Sequence, residues 1–188
     1  MEHMQTESIQ IQDQKPQFDV ILRFEQQTEE YFDKLIDRLA QVTGNTARLR
    51  NGQPPHVSMG IFDVADKSDP VQVMEGVLRG LRPFSMTFDA LGAFLPGTLI
   101  AAAVMTDEMI AMNRAIHTVA DRVFVPSTQY VYGRWVPHLT LAEELTHAEL
   151  VQAFDTAGLG WRPVSARTVS ISLVHHFPYT EELVVPLE

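Results

Sequence analysis

The sequence contains no cysteine. That excludes disulfides, thiol nucleophiles and thiolate metal sites together. It fits a reducing compartment, and a cytoplasmic location is expected. Basic residues are scarce as well. Against 24 Asp and Glu stand 14 Lys and Arg, a net charge of −10. A protein that grips long nucleic acid presents a basic surface, so no long nucleic acid is expected as a partner and any polyanion contact should be local. Long apolar runs are missing too. The longest, LIAAAVM at 99–105, falls far short of the roughly 20 residues that cross a bilayer, and no membrane partner is expected. A Gly-rich phosphate loop of the Walker or dinucleotide type is also absent.

What remains is an ordinary globular composition, 45% hydrophobic and 20% charged over 188 residues. Such a chain can bury a real core without staples. Residues 1–17, polar and Gln-rich, read as a flexible tail without the apolar stretch of a signal peptide. Residues 18–188 read as a single two-lobed domain. Strands are expected at 18–24, 54–62, 84–90, 99–105, 131–143, 168–177 and 182–187. Helices are expected between them. One runs over 26–42 with Tyr31, Leu35, Leu39 and Val42 as its apolar stripe. A second is capped by Asp69-Pro70 and carries Val71, Met74, Leu78 and Leu81. A third follows Thr106 with Met109, Met112, Ile116, Val119 and Val123. The last begins at the capping box THAE, 146–149, and stops at Gly158. Strands and helices are mixed and the strands pair as hairpins, so the fold class is α+β with largely antiparallel sheets flanked by helices.

One phrase occurs twice: PPHVSMG at 54–60 and VPHLTLA at 136–142. On a strand, residues i and i+2 share a face. His56 and Ser58 therefore project together, away from Val57 and Met59. His138 and Thr140 project together, away from Leu139 and Leu141. Each His follows a Pro, which suits a strand start beside a cleft. If the two strands face one another, two imidazoles and two hydroxyls converge. One imidazole can take a proton from an attacking oxygen while the other gives one to a leaving oxygen. The hydroxyls can donate to non-bridging phosphate oxygens. A lone His on a strand is usually structural. The paired motif is what carries the reading.

These two motifs, His56-Val57-Ser58 and His138-Leu139-Thr140, resemble those of the 2H phosphoesterase superfamily, the 2′-5′ RNA ligase-like and cyclic phosphodiesterase proteins. The second, WVPHLTLA, is the closer match, and the order of elements over 18–188 is similar too. The resemblance implies a bilobal fold with a pseudo-twofold axis across a central cleft. It implies a metal-independent hydrolase acting on a 2′,3′-cyclic phosphate or related phosphodiester of a nucleotide or RNA end. It implies no cofactor, His56 and His138 as the acid–base pair, and Ser58 and Thr140 as phosphate anchors. For cyclic phosphate hydrolysis it suggests that His138 activates water and His56 protonates the leaving oxygen, with the reverse assignment left open. A non-catalytic nucleotide- or RNA-end-binding protein on the same fold, or a protein-interaction scaffold, are the alternatives. A monomer is expected.

Arg134 lies four residues before His138, so an unbroken strand would put both on one face, where Arg134 could bind phosphate. Tyr132 shares that parity and could stack on a base. Trp135 has the opposite parity and reads as core. His175 and His176 are adjacent, face opposite ways and cannot readily chelate one metal, so no metal site is expected; one of them could line the cleft. His117 and His147 read as surface or boundary residues, and Met74, Met86, Met109 and Met112 as core filler.

Overall fold

The computed structural model describes residues 17–64, 69–120, 124–127, 129–176 and 178–188, with the side chains of Gln17, Val64, Phe124 and Val125 outside the description. The expected tail lies outside the described residues, except that Gln17 already belongs to the first strand.

That strand, β1 (Gln17–Phe24), alternates strictly. Phe18, Val20, Leu22 and Phe24 are buried on one face, and Asp19, Ile21 and Arg23 take the other. Helix α1 (Gln26–Thr43) follows. It ends at Gly44, whose φ of 73° lets its N–H close back on the Ala40 carbonyl. Its buried residues are Thr28, Phe32, Ile36 and Leu39, while Tyr31 and Val42 are exposed. The expected stripe was therefore one position out of phase. Both stripes share Leu39. The winning one brings Phe32 edge-on against Phe88, ring centroids 4.9 Å apart, and leaves Tyr31 exposed.

A short helix α2 (Ala47–Arg50) leads to β2 (Val57–Val64). Helix α3 (Pro70–Leu78) starts where its cap predicts: the Asp69 carboxylate accepts from the N–H groups of Val71 and Gln72. Then come β3 (Ser85–Phe94), β4 (Thr98–Ala103), α4 (Asp107–Ala120) and the short β5 (Phe124–Pro126). Val123, the last member of the expected α4 stripe, lies outside the described residues. The expected strand over 131–143 shrinks to β6 (His138–Ala142), preceded by turns. Gly133, at φ 87°, and Pro137 break the extended run. Helix α5 (His147–Gly158) carries the full capping box between Thr146 and Glu149. The chain ends in β7 (Val164–His175) and β8 (Thr180–Pro186).

The strand order is β5-β2-β1-β7-β3-β4-β6, with β8 also paired to β7, and every ladder is antiparallel. The long β7 joins two half-sheets: residues 168–175 pair with β1 and residues 164–167 with β3. Helices α3 and α4 pack on the half containing β2 and β7, and α1 and α5 on the half containing β3, β4 and β6. This is a mixed α+β fold of two lobes over one continuous core. Although β2 and β6 lie near opposite ends of the strand order, they touch. The sheet therefore bends back on itself and brings the two repeated phrases together.

Candidate active site

Each repeated phrase meets its strand at the histidine. His56 immediately precedes β2, and His138 is the first residue of the edge strand β6. The alternation expected from sequence holds: Val57, Met59, Leu139 and Leu141 are wholly buried behind the motifs. In front of them lies a cleft of about 610 Å³ lined by His56, Ser58, His138 and Thr140.

The two imidazoles are held alike. His56 Nδ1 lies 2.7 Å from the Pro54 carbonyl, and His138 Nδ1 lies 2.7 Å from the Val136 carbonyl. A carbonyl only accepts, so Nδ1 carries the proton in both rings and Nε2 is left for chemistry. Phe94 meets the His138 ring edge-on at 4.8 Å. Burial depresses both imidazoles. His56 is lowered to about 3, mostly by desolvation and further by the charges of Arg48, His176 and His138, against the raising effect of the Pro54 carbonyl. His138 is lowered by burial, opposed by the Val136 carbonyl.

The two hydroxyls are not held alike. Ser58 Oγ donates to Asp19 Oδ2 at 2.6 Å. Thr140 Oγ1 makes no hydrogen bond among the described residues. Asp19 is 1% exposed, and its other oxygen, Oδ1, is buried with no partner among the described residues. Desolvation raises its carboxyl to about 7, while the Ser58 hydroxyl pulls the other way. No sequence signal could have paired Asp19 with Ser58, because they sit on different strands and meet only through sheet register.

Arg48 was also missed. It is buried on α2 and makes no ion pair among the described residues. Its guanidinium donates instead to three carbonyls: Gln53 at 2.8 Å, Pro54 at 3.2 Å and Thr140 at 3.2 Å. It therefore ties the approach to the first motif to the strand of the second. The Pro54 carbonyl it holds is the one that orients His56. The planar five-donor fork makes this possible.

Arg134 lines the cleft although the strand argument for it fails, because the turn at 129–134 carries it there. Tyr132 does not line the cleft. It is 53% exposed, and Arg114 covers its ring at 4.0 Å. Alternation cannot place a residue in a turn. The tyrosine in the wall is Tyr130, whose carbonyl accepts from Asn113 Nδ2 at 3.0 Å. Trp135 is buried as expected and donates Nε1–H to the Ser58 carbonyl at 3.1 Å. His176 lines the cleft, and His175 turns the other way against Phe18. His147 is exposed, whereas His117 is buried beside Phe62 rather than at the surface. Among the described residues no group of three or more His, Asp or Glu side chains is placed to hold a metal ion, and no helix is long and apolar enough to cross a membrane.

A family model described as the 2′-5′ RNA ligase superfamily matches residues 26–177. No curated protein matches the sequence. Among solved structures, the chain is similar to E. coli LigT complexed with 3′-AMP, at 13% identity and TM-score 0.61, covering 92% of this chain and 98% of that one. It is similar to TT0787 of Thermus thermophilus, at 14% identity and TM-score 0.54, covering 91% and 97%. It is also similar to Usb1 of Kluyveromyces marxianus, at 12% identity and TM-score 0.50, covering 92% and 99%. At these identities the likeness is one of fold.

Proposed function

This chain belongs to the 2′-5′ RNA ligase superfamily, and we propose that it is a phosphoesterase that opens a 2′,3′-cyclic phosphate, or a related phosphodiester, at a nucleotide or RNA end by two-histidine acid–base catalysis. One observation carries the reading. Two imidazoles line one cleft, each with Nδ1–H committed to a backbone carbonyl two residues earlier. Each therefore offers Nε2 to substrate. The similarity to LigT, whose structure is complexed with 3′-AMP, agrees with a cleft of nucleotide size.

One Nε2 removes a proton from water as its oxygen bonds to phosphorus. The other, entering the step as imidazolium with a proton on each ring nitrogen, donates its Nε2 proton to the ribose oxygen as that P–O bond breaks. The products are a phosphomonoester and a free hydroxyl, and the two histidines have exchanged protonation states. Burial lowers both imidazoles. A lowered pKa keeps a ring neutral but also weakens it as a base, so both assignments of acid and base stay open and the pH profiles of His56→Ala and His138→Ala tell them apart. In this reading Arg134 and Thr140, which line the cleft, bind the non-bridging oxygens, where charge builds in the transition state. The acidic chain, at −10, favours a small substrate or a terminus over a long strand.

The test is hydrolysis of 2′,3′-cyclic nucleotides and cyclic-phosphate-ended oligonucleotides in EDTA, by wild type, His56→Ala and His138→Ala. Turnover by wild type that both variants lose supports the mechanism, and the product isomer identifies the bond. Turnover unchanged in both variants refutes it. Nucleotide binding without turnover favours a binding protein on the same fold.

A further inference from the structure

A hydroxyl has one proton to give. The Ser58 hydroxyl stands between the cleft and the Asp19 carboxyl, and it gives that proton to Asp19. While Asp19 is ionised, Ser58 presents only lone pairs to the cleft, and lone pairs repel a phosphate oxygen. The motif-one hydroxyl is then an anchor facing the wrong way. If Asp19 is protonated, the chain reverses. The carboxyl O–H donates to Ser58 Oγ, and Ser58 donates onward to the anion. Thr140, with no such partner among the described residues, faces no such constraint. We propose that Asp19 is a positioning residue for the phosphate site, and that an anion binds at Ser58 to the form in which Asp19 is protonated, so that where Asp19 is ionised the anion enters with uptake of one proton. The proposal rests on reading the cleft as a phosphate site.

Two features of the surroundings favour the neutral carboxyl. Asp19 is buried with a single hydrogen bond, an orphaned Oδ1 and no ion pair among the described residues, a poor home for a full negative charge. Among the described residues no cation pairs with it. From β2 come Ser58, Ile61 directly opposite Asp19 and, opposite Gln17 on the same face, the acidic Asp63, none of them a cation. From β7 comes Ser172, uncharged and itself without a hydrogen-bond partner among the described residues, on the same face as Ile21 and Asp19. From the segment before β6 comes the Tyr130 phenol, which burial, and then Asp19's charge, push well above its ordinary value. On β1 itself Arg23 shares the face but is paired with Glu29 at 2.7 Å and Glu181 at 3.4 Å. The remaining charges, His56, His138, His176, Arg48 and Arg134, line the cleft. A bound anion adds negative charge beside Ser58 and drives the carboxyl further toward its protonated form.

The experiment is a carboxyl 13C NMR titration of the whole chain with and without inorganic sulfate, whose charge is constant over the range. The Asp19 signal is assigned by its loss in Asp19→Asn, and the imidazole signals of His56 and His138 report whether sulfate occupies the cleft. With sulfate bound, the Asp19 midpoint should rise by about one pH unit or more, and Ser58→Ala should shrink that rise. Asn cannot ionise and still has an N–H for Ser58 Oγ. The ratio of Asp19→Asn to wild-type affinity for sulfate should therefore grow by up to about tenfold per pH unit above the Asp19 midpoint, which a purely structural role for Asp19 would not produce. Sulfate that moves the histidine signals but leaves the Asp19 midpoint where it was overturns the proposal. Sulfate that moves neither overturns the phosphate-site reading itself, and the unmoved histidine signals tell that failure from the first.

Discussion

Replacing Asp19 by Asn should change how stability depends on pH, and the structure supplies the size of the effect. Folded, the Asp19 carboxyl titrates at about 7, against its ordinary 3.8. Between those values the folded state holds a proton that the unfolded chain has released. Stability therefore falls as pH rises through that window, and falls no further above it. The window spans about three pH units at about 1.4 kcal/mol each, so ionising Asp19 in place costs on the order of 4 kcal/mol. Asp19 is 1% exposed, so solvent screens little of this. Asn matches the side chain in size, keeps a hydrogen bond to Ser58 and never ionises. The assay is urea unfolding of both proteins at about pH 5 and about pH 8.5. The stability of Asp19→Asn relative to wild type should grow by about 3 kcal/mol between the two, since about two units of the window lie above pH 5. His56 and the other titrating groups are common to both proteins and cancel in the difference. A relative stability equal at both pH values to within about 0.5 kcal/mol would refute the argument that the Asp19 carboxyl is neutral when folded near pH 5.

His56→Ala and His138→Ala should each lower kcat/KM on a cyclic nucleotide by about 100-fold to 10,000-fold with far-UV dichroism unchanged. His56 should also leave a mark on stability: it is held neutral when folded, so unfolding takes up a proton below its ordinary 6.5, and wild type should lose stability as pH falls through that value while His56→Ala does so less steeply. Arg48→Ala leaves three carbonyls without their donor and should cost about 3 kcal/mol in urea unfolding. Arg48→Lys, which keeps the charge but not the fork, should recover only part of that and should lower kcat more than it raises KM. Gly97→Ala would drive a Cβ into the Leu145 backbone and should cost at least about 1–3 kcal/mol, read from the urea midpoint.

The repeated motifs of this protein are written in short stretches of sequence. The phrases PHVS and PHLT carry their own alternation, so the partition of His56, Ser58, His138 and Thr140 from Val57, Met59, Leu139 and Leu141 follows from the period of a strand alone. The caps at Asp69 and Thr146 are equally local, because a side chain and a backbone N–H two or three residues away suffice to form them. Other features needed the fold. The stripe of α1 depended on which neighbour offered a pocket for Phe32. The exclusion of Tyr132 from the cleft depended on a turn that ended the alternation before it reached that residue. The clamp of Arg48 and the bond from Ser58 to Asp19 join residues far apart in the chain, through register and sheet curvature that no single segment encodes. Periodicity tells which way a side chain points along its own element. Only the packing of elements decides what it meets there, and here it buried both motif histidines and bonded Ser58, but not Thr140, to Asp19.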